Sequence, residues 1–150
     1  MGSHYQGTPA EIASLNVFIN LFRATDTIHI LIERRIKQEG LTGPQFGVLE
    51  TLFHLGPLNQ HVLAEKLLVS RGNITFIVDK LEESGLIARA VRTDDRRCNT
   101  VSLTDKGRDF IRRIFPAQAA YIASLIGALD ADEQKVLAGL LKKLGINNIR

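Results

Sequence analysis

The 150-residue chain has a single cysteine, Cys98, and therefore no intrachain disulfide. That usage fits a reducing compartment, and a cytoplasmic location is expected. No apolar run approaches the roughly 20 residues that a membrane-spanning helix needs, so no membrane partner is expected. Nothing reads as a signal peptide, with its basic start and apolar core. The histidines, His4, His29, His54 and His61, are scattered, at no spacing that a metal site would use. A glycine-rich phosphate loop and a nucleophile elbow are both missing. No metal and no cofactor are expected, and an enzyme is the weakest reading. There is no internal repeat and no low-complexity tract. With 45% hydrophobic residues, the chain is long enough to bury one good core.

The net charge is only +3, but its placement is informative. Residues 71–113 hold ten Lys/Arg against seven Asp/Glu, and the rest of the chain is balanced. The whole excess sits on one segment, the electrostatic footprint expected of a phosphate-binding surface.

That segment also has the clearest periodicity. Ser70 is a good N-cap before Ile74, Ile77, Val78 and Leu81, which fall at helical spacing as one buried stripe. Arg71, Gly72, Asn73, Thr75, Phe76 and Lys80 lie on the opposite face. Gly85 can end the helix in the left-handed conformation. Leu86 to Val91 is extended, and Val101 and Leu103 alternate with polar residues at the period of a half-buried strand. A charged loop, Thr93 to Asn99, joins the two strands. A capped helix followed by a basic-tipped hairpin is the layout of a winged helix-turn-helix.

The flanking elements complete it. A long helix is predicted over about Pro9–Gln38, apolar on more than one side, which requires cover from beyond its own domain. Pro44 at N1 with Gly43 as cap opens a second helix, stopped at Gly56-Pro57. Asn59 caps a short third, in which Val62, Leu63, Leu67 and Leu68 face inward. Val69-Ser70 is then the turn of a helix-turn-helix. Thr104 caps a long helix with a kink expected at Pro116. Asp130 and Glu133 form a capping box for a last helix, whose stripe is Val136, Leu137, Leu140, Leu141 and Leu144 and whose end is Gly145. The expected fold is mainly α with a small β-hairpin wing. It forms one domain: dimerisation helices at about 9–40 and 105–150, and a DNA-binding lobe at about 44–104.

The run LTGPQFGVLETL, GPLNQHVLAEKL, SRGNITFIVDKLEESGLIAR and DDRRCNTVSLTDKG resembles the MarR family of bacterial transcription regulators, over roughly residues 9–144. Its most specific parts are Thr75 with Val78-Asp79-Lys80-Leu81-Glu82, and Asp95-Arg96-Arg97 with Val101-Ser102-Leu103-Thr104 and Gly107. The resemblance implies a homodimer of winged lobes joined through the terminal helices. It also implies a repressor of genes, released by a small molecule or an oxidant. Phe76 stands where many members carry a polar or basic residue. The second Arg of the family's Asp-x-Arg wing enters the minor groove; that position is Arg97, oriented by Asp95, with Arg96 on phosphate. The Gly72-Asn73-Ile74-Thr75 variant resembles members that answer to quinones or phenolic compounds.

The expected partner is double-stranded DNA carrying a pseudo-palindromic operator. Arg71 can fork onto guanine and Asn73 onto adenine, while the methyl of Thr75 or the ring of Phe76 can touch a thymine methyl. Ser70 and the backbone N–H groups beside it suit a phosphate. Asp79 is read as structural, because phosphates repel a carboxylate. A pocket for a small-molecule effector is placed between dimer helices and lobe, lined by Phe18, Phe22, His29, Phe46 and Tyr121. Two alternatives stand beside this reading. Cys98, after two arginines, could be a redox switch on the wing. The lobe could also be a winged-helix module for protein interaction alone, but such a module would not need Arg71, Arg96 and Arg97 together.

Overall fold

The computed structural model describes residues 4–91 and 99–148. The readings of Asp95, Arg96, Arg97 and Cys98 fall outside the described residues. Helix α1 spans Pro9–Gln38, α2 Gly43–Leu55, strand β1 Leu58–Asn59, α3 Gln60–Lys66 and α4 Arg71–Glu83. Strands β2 (Ile87–Val91) and β3 (Asn99–Leu103) follow, then α5 (Asp105–Ile126) and α6 (Ala131–Asn148). The chain forms two compact units, which divide between Phe115 and Pro116 in α5.

Most helix starts are fixed by side-chain oxygens that take up free backbone N–H groups. Thr8 and Glu11 make a reciprocal capping box for α1, with Glu11 N donating to Thr8 Oγ1 at 3.3 Å and Thr8 N to Glu11 Oε2 at 2.8 Å. Helix α2 starts one residue before the expected place. Its cap is Thr42, which accepts from Gln45 N at 3.3 Å while Gln45 Oε1 accepts from Thr42 N at 2.9 Å. Gly43 has no side-chain oxygen to do this.

Ser70 caps α4, accepting from Asn73 N at 3.2 Å. At its other end Gly85 is left-handed (φ 72°), with Gly85 N bonded to Glu82 O and Leu86 N to Leu81 O. These are the two bonds of a Schellman turn. The end of α3 is built in the same way, from Leu68 N to Glu65 O and Val69 N to Ala64 O. The left-handed residue there is Leu68 (φ 53°), and its side chain is 86% exposed rather than packed inward.

Leu58 and Asn59 form a third, two-residue strand, so the expected hairpin is a three-stranded antiparallel sheet in the order β1-β3-β2. Leu58 pairs with Val101, and Ile87, Arg89 and Val91 pair with Leu103, Val101 and Asn99. Asn59 precedes α3 but makes no side-chain cap; its Oδ1 accepts from Thr100 Oγ1 at 3.3 Å instead. Sheet pairing has taken the side chain that local sequence assigns to the helix.

One core holds the first unit together. Val48, Leu49 and Leu52 of α2, Leu63 of α3, the Ile74, Ile77, Val78, Leu81 stripe of α4, Leu86, Ile87, Val101, Ile111 and Ile114 are all buried. Thr104 joins the sheet to α5: its Oγ1 accepts from Gly107 N at 3.0 Å and donates to Gly85 O at 2.7 Å. A Cβ at Gly107 would overlap the Leu86 carbonyl oxygen, so only glycine allows this approach.

In the second unit the capping box expected for α6 is present. Asp130 N donates to Glu133 Oε2 and Glu133 N to Asp130 Oδ1, both at 2.9 Å. The helix runs past Gly145 to Asn148, a glycine being tolerated inside a helix at modest cost. All its residues from Ala131 to Gly145 are exposed.

Candidate nucleic-acid interface

The exposed face of α4 carries Arg71, Gly72, Asn73, Thr75, Phe76 and Lys80, as the helical spacing predicts. Its buried stripe fixes the helix to α2, α3 and β2, so the exposed face is presented rigidly. Nothing lies within 4 Å of where a Gly72 Cβ would stand, so the first turn is open to close approach. Phe76 is 62% exposed, with Lys80 Nζ 6.0 Å from its ring centroid.

Charge pairing sorts the basic residues. Arg89 of β2 bonds Asp79 through its guanidinium and meets Glu82 Oε2 through Nε at 3.0 Å. Arg89 N also donates to Glu82 Oε1 at 3.1 Å. The Asp79 hydrogen bond, ahead of that from Glu82, raises the Arg89 pKa from its ordinary value. This brace ties α4 to the sheet and commits the Asp79 carboxylate to an ion pair with β2. Lys80 is paired with Glu83 at 2.8 Å, and that bond and charge raise its pKa. Lys106 Nζ donates to Ser84 O at 2.7 Å, placing a cation at the C-terminus of α4, where the helix dipole favours one. Arg112 meets Asp109 at 3.3 Å and Arg113 meets Glu39 at 3.5 Å. Arg71, at the start of α4, has no ion-pair partner among the described residues.

Gln60 was not singled out by the sequence. Its Nε2 donates to Thr75 Oγ1 at 2.8 Å, while Thr75 Oγ1 donates to Arg71 O at 2.9 Å. Gln60 thus holds a side chain on the exposed face of α4 from the start of α3. A contact between residues fifteen apart leaves no local sequence signal.

The residues named for an effector pocket are not all brought together. Phe18 and Phe22 form a tilted pair, 4.4 Å between centroids, and both are exposed. His29 is exposed, with Nε2 3.9 Å from Glu33 Oε1. Phe46 instead stacks on Phe115 at 6.5 Å, and His54 meets Phe115 edge-on at 4.8 Å. Tyr121 lies in the other unit. Among the described residues there is no cluster of His, Cys, Asp or Glu able to hold a metal ion. No single helix there is long and apolar enough to cross a membrane.

A helix-turn-helix whose second helix is exposed on its polar face, followed by a small antiparallel sheet, defines a winged-helix protein. The model of the MarR family matches residues 41–99. The HTH-type transcriptional regulator MhqR of Bacillus subtilis is 37% identical over 134 residues, 89% of this chain and 92% of the relative. Among solved structures, BpsR of Bordetella bronchiseptica, described with regulation of its DNA binding by 6-hydroxynicotinic acid, is 26% identical. It superposes with a TM-score of 0.76, covering 86% of this chain and 98% of that one. Sco3205, a MarR family regulator of Streptomyces coelicolor solved in complex with DNA, is 21% identical, with a TM-score of 0.83 and coverage of 95% and 91%, and shares the fold. The chain belongs to the MarR family of transcriptional regulators, which are not enzymes.

Proposed function

We propose that the protein is a cytoplasmic, homodimeric repressor that binds a pseudo-palindromic operator and is released by a small aromatic molecule. The observation that carries the reading is the first turn of α4. Ser70 caps it, Arg71 and Asn73 are exposed on it, and the one carboxylate on the helix nearest that face, Asp79, is neutralised by Arg89. In the major groove Arg71 and Asn73 meet base edges, and Ser70 with its neighbouring N–H groups meets phosphate. Lys80 adds to the phosphate-facing charge. On the wing, Arg96 meets phosphate and Arg97, oriented by Asp95, enters the minor groove, where a planar, weakly hydrated cation is favoured. The solution of Sco3205 with DNA supports this use of the fold.

The homodimer reading rests on apolar surface that one chain leaves bare: Val17, Phe18, Phe22 and Ile30 on α1, and Val136 and Leu140 on α6. Release by a phenolic or quinone-like effector is supported by BpsR, whose DNA binding a hydroxylated aromatic acid regulates. Phe18, Phe22, His29, Phe46 and Tyr121 are the residues we assign to that effector. The molecule must bind the DNA-incompetent state more tightly, or it shifts nothing.

The test is an equilibrium gel shift against duplexes selected from genomic fragments. Arg71→Ala and Arg97→Ala should each weaken specific binding by about 1–3 kcal/mol. The melting temperature should hardly move for Arg71→Ala, since Arg71 is exposed and has no ion-pair partner among the described residues. Undiminished affinity in both variants at physiological salt would overturn the assignment. A protein that shows no salt-dependent binding to any duplex would instead be an interaction module.

A further inference from the structure

Among the polar residues on the exposed face of α4, Thr75 differs from Arg71 and Asn73 in having its one donor and one of its two lone pairs already engaged. Its hydroxyl hydrogen goes to Arg71 O at 2.9 Å, and one lone pair receives Gln60 Nε2 at 2.8 Å. What Thr75 offers an outside partner is chiefly a methyl group. The next residue, Phe76, offers a ring that is 62% exposed. The middle of the reading face is therefore apolar, with the donors Arg71 and Asn73 at its N-terminal end. The apolar feature of the major groove is the 5-methyl group of thymine; the other base edges there present hydrogen-bonding atoms.

We propose that α4 reads thymine 5-methyl groups through Thr75 and Phe76, with Gln60 as the positioning residue that keeps the Thr75 hydroxyl off the bases. The proposal rests on the DNA-binding reading above and adds to it a chemical identity for the bases at the centre of each half-site. Gln60 acts through Thr75: it stands at the start of α3, and its Nε2 is given to the hydroxyl, while its Oε1 is buried with no hydrogen-bond partner among the described residues. With Gln60 removed, the hydroxyl hydrogen stays on Arg71 O but the lone pair that Gln60 occupied is open to a donor on a base edge, and the preference for a methyl weakens.

The experiment compares the operator selected from a random duplex library with copies in which each thymine is replaced singly by deoxyuridine, which lacks only the 5-methyl group. At the thymines facing α4 the wild-type protein should lose about fourfold in affinity per methyl, the value of one buried apolar carbon. Thr75→Ser and Phe76→Ala should each bring the thymine-to-uracil ratio at one of these positions close to one. Gln60→Ala should lower the ratio at the Thr75 position and leave that at the Phe76 position unchanged. A purely structural role for Gln60 would weaken thymine and uracil duplexes equally, and that result would overturn its assignment. Uracil duplexes bound as tightly as thymine duplexes by the wild-type protein would overturn the proposal and leave DNA binding standing. So would a methyl effect that persists in both Thr75→Ser and Phe76→Ala. Absence of binding to any duplex at low salt would overturn the DNA-binding reading, and this proposal with it.

Discussion

The apolar stripes of α4 and α6 are built from the same kinds of residue at the same helical spacing. In α4, Ile74, Ile77, Val78 and Leu81 are all buried, covered by α2, α3 and the sheet of the same chain. In α6, Val136 and Leu140 are 60% and 58% exposed, and Leu137, Leu141 and Leu144 are exposed to a smaller extent. Periodicity therefore tells which face of a helix is apolar, but not what covers it. A stripe left open on a regulator of this family is the surface on which we place the second copy. The contrast also separates the two helices: the stripe of α4 is covered within the chain, and that of α6 is exposed.

The largest expected effects separate the two stripes. Leu81→Ala should destabilise the lobe by about 2–5 kcal/mol, through lost burial and the cavity left behind. The drop in melting temperature should be the same at every protein concentration. Leu140→Asp should leave the lobe folded and split the dimer, seen as a folded monomer at micromolar concentration by sedimentation. If Leu140→Asp sediments like the wild type, α6 is not the pairing surface and the comparison fails.

Gly107→Ala comes next, at about 2–4 kcal/mol of lost stability, because a Cβ there meets the Leu86 carbonyl with backbone on both sides. Chemical denaturation checks it, and a variant as stable as the wild type would show that α5 and the sheet do not meet as described. The smallest effect is Gly139→Ala in α6. Nothing lies within 4 Å of that position, and removing a mid-helix glycine should stabilise the helix by about 0.5–1 kcal/mol. A loss of pairing in this variant would sharpen the comparison by placing position 139 where two chains approach closely.

Much of this fold could be read from local chemistry. The α4 stripe, the Ser70 cap, the Gly85 turn, the Thr104 cap and the Asp130–Glu133 box each depend on residues within a few positions of one another. What could not be read depends on distance or on departures from preference. Strand β1 is two residues long, too short to show a period, and exists because β3 offers a free edge to Leu58 and Asn59. Leu68 takes a left-handed turn that glycine favours, so nothing in its identity announces it. The exposed residues of α4 were visible as one face, but four of the basic residues counted toward the segment's charge are paired within the first unit: Lys80, Arg89, Arg112 and Arg113. Gln60 reaches Thr75 across fifteen positions, a relation that only the packing of α3 on α4 creates.

The central claim is that two lobes, held by one dimer, present two copies of α4 to successive turns of DNA. Half-sites should then form an inverted repeat with centres about one helical turn, ~10 bp, apart. Footprinting on the selected operator, repeated with about half a turn (~5 bp) inserted between half-sites, tests this most directly. The account predicts that the insertion abolishes simultaneous protection of both half-sites, because the second helix then faces the wrong side of the duplex. Protection of both half-sites at undiminished affinity would contradict it, since lobes that tolerate such an insertion are not held by a rigid dimer.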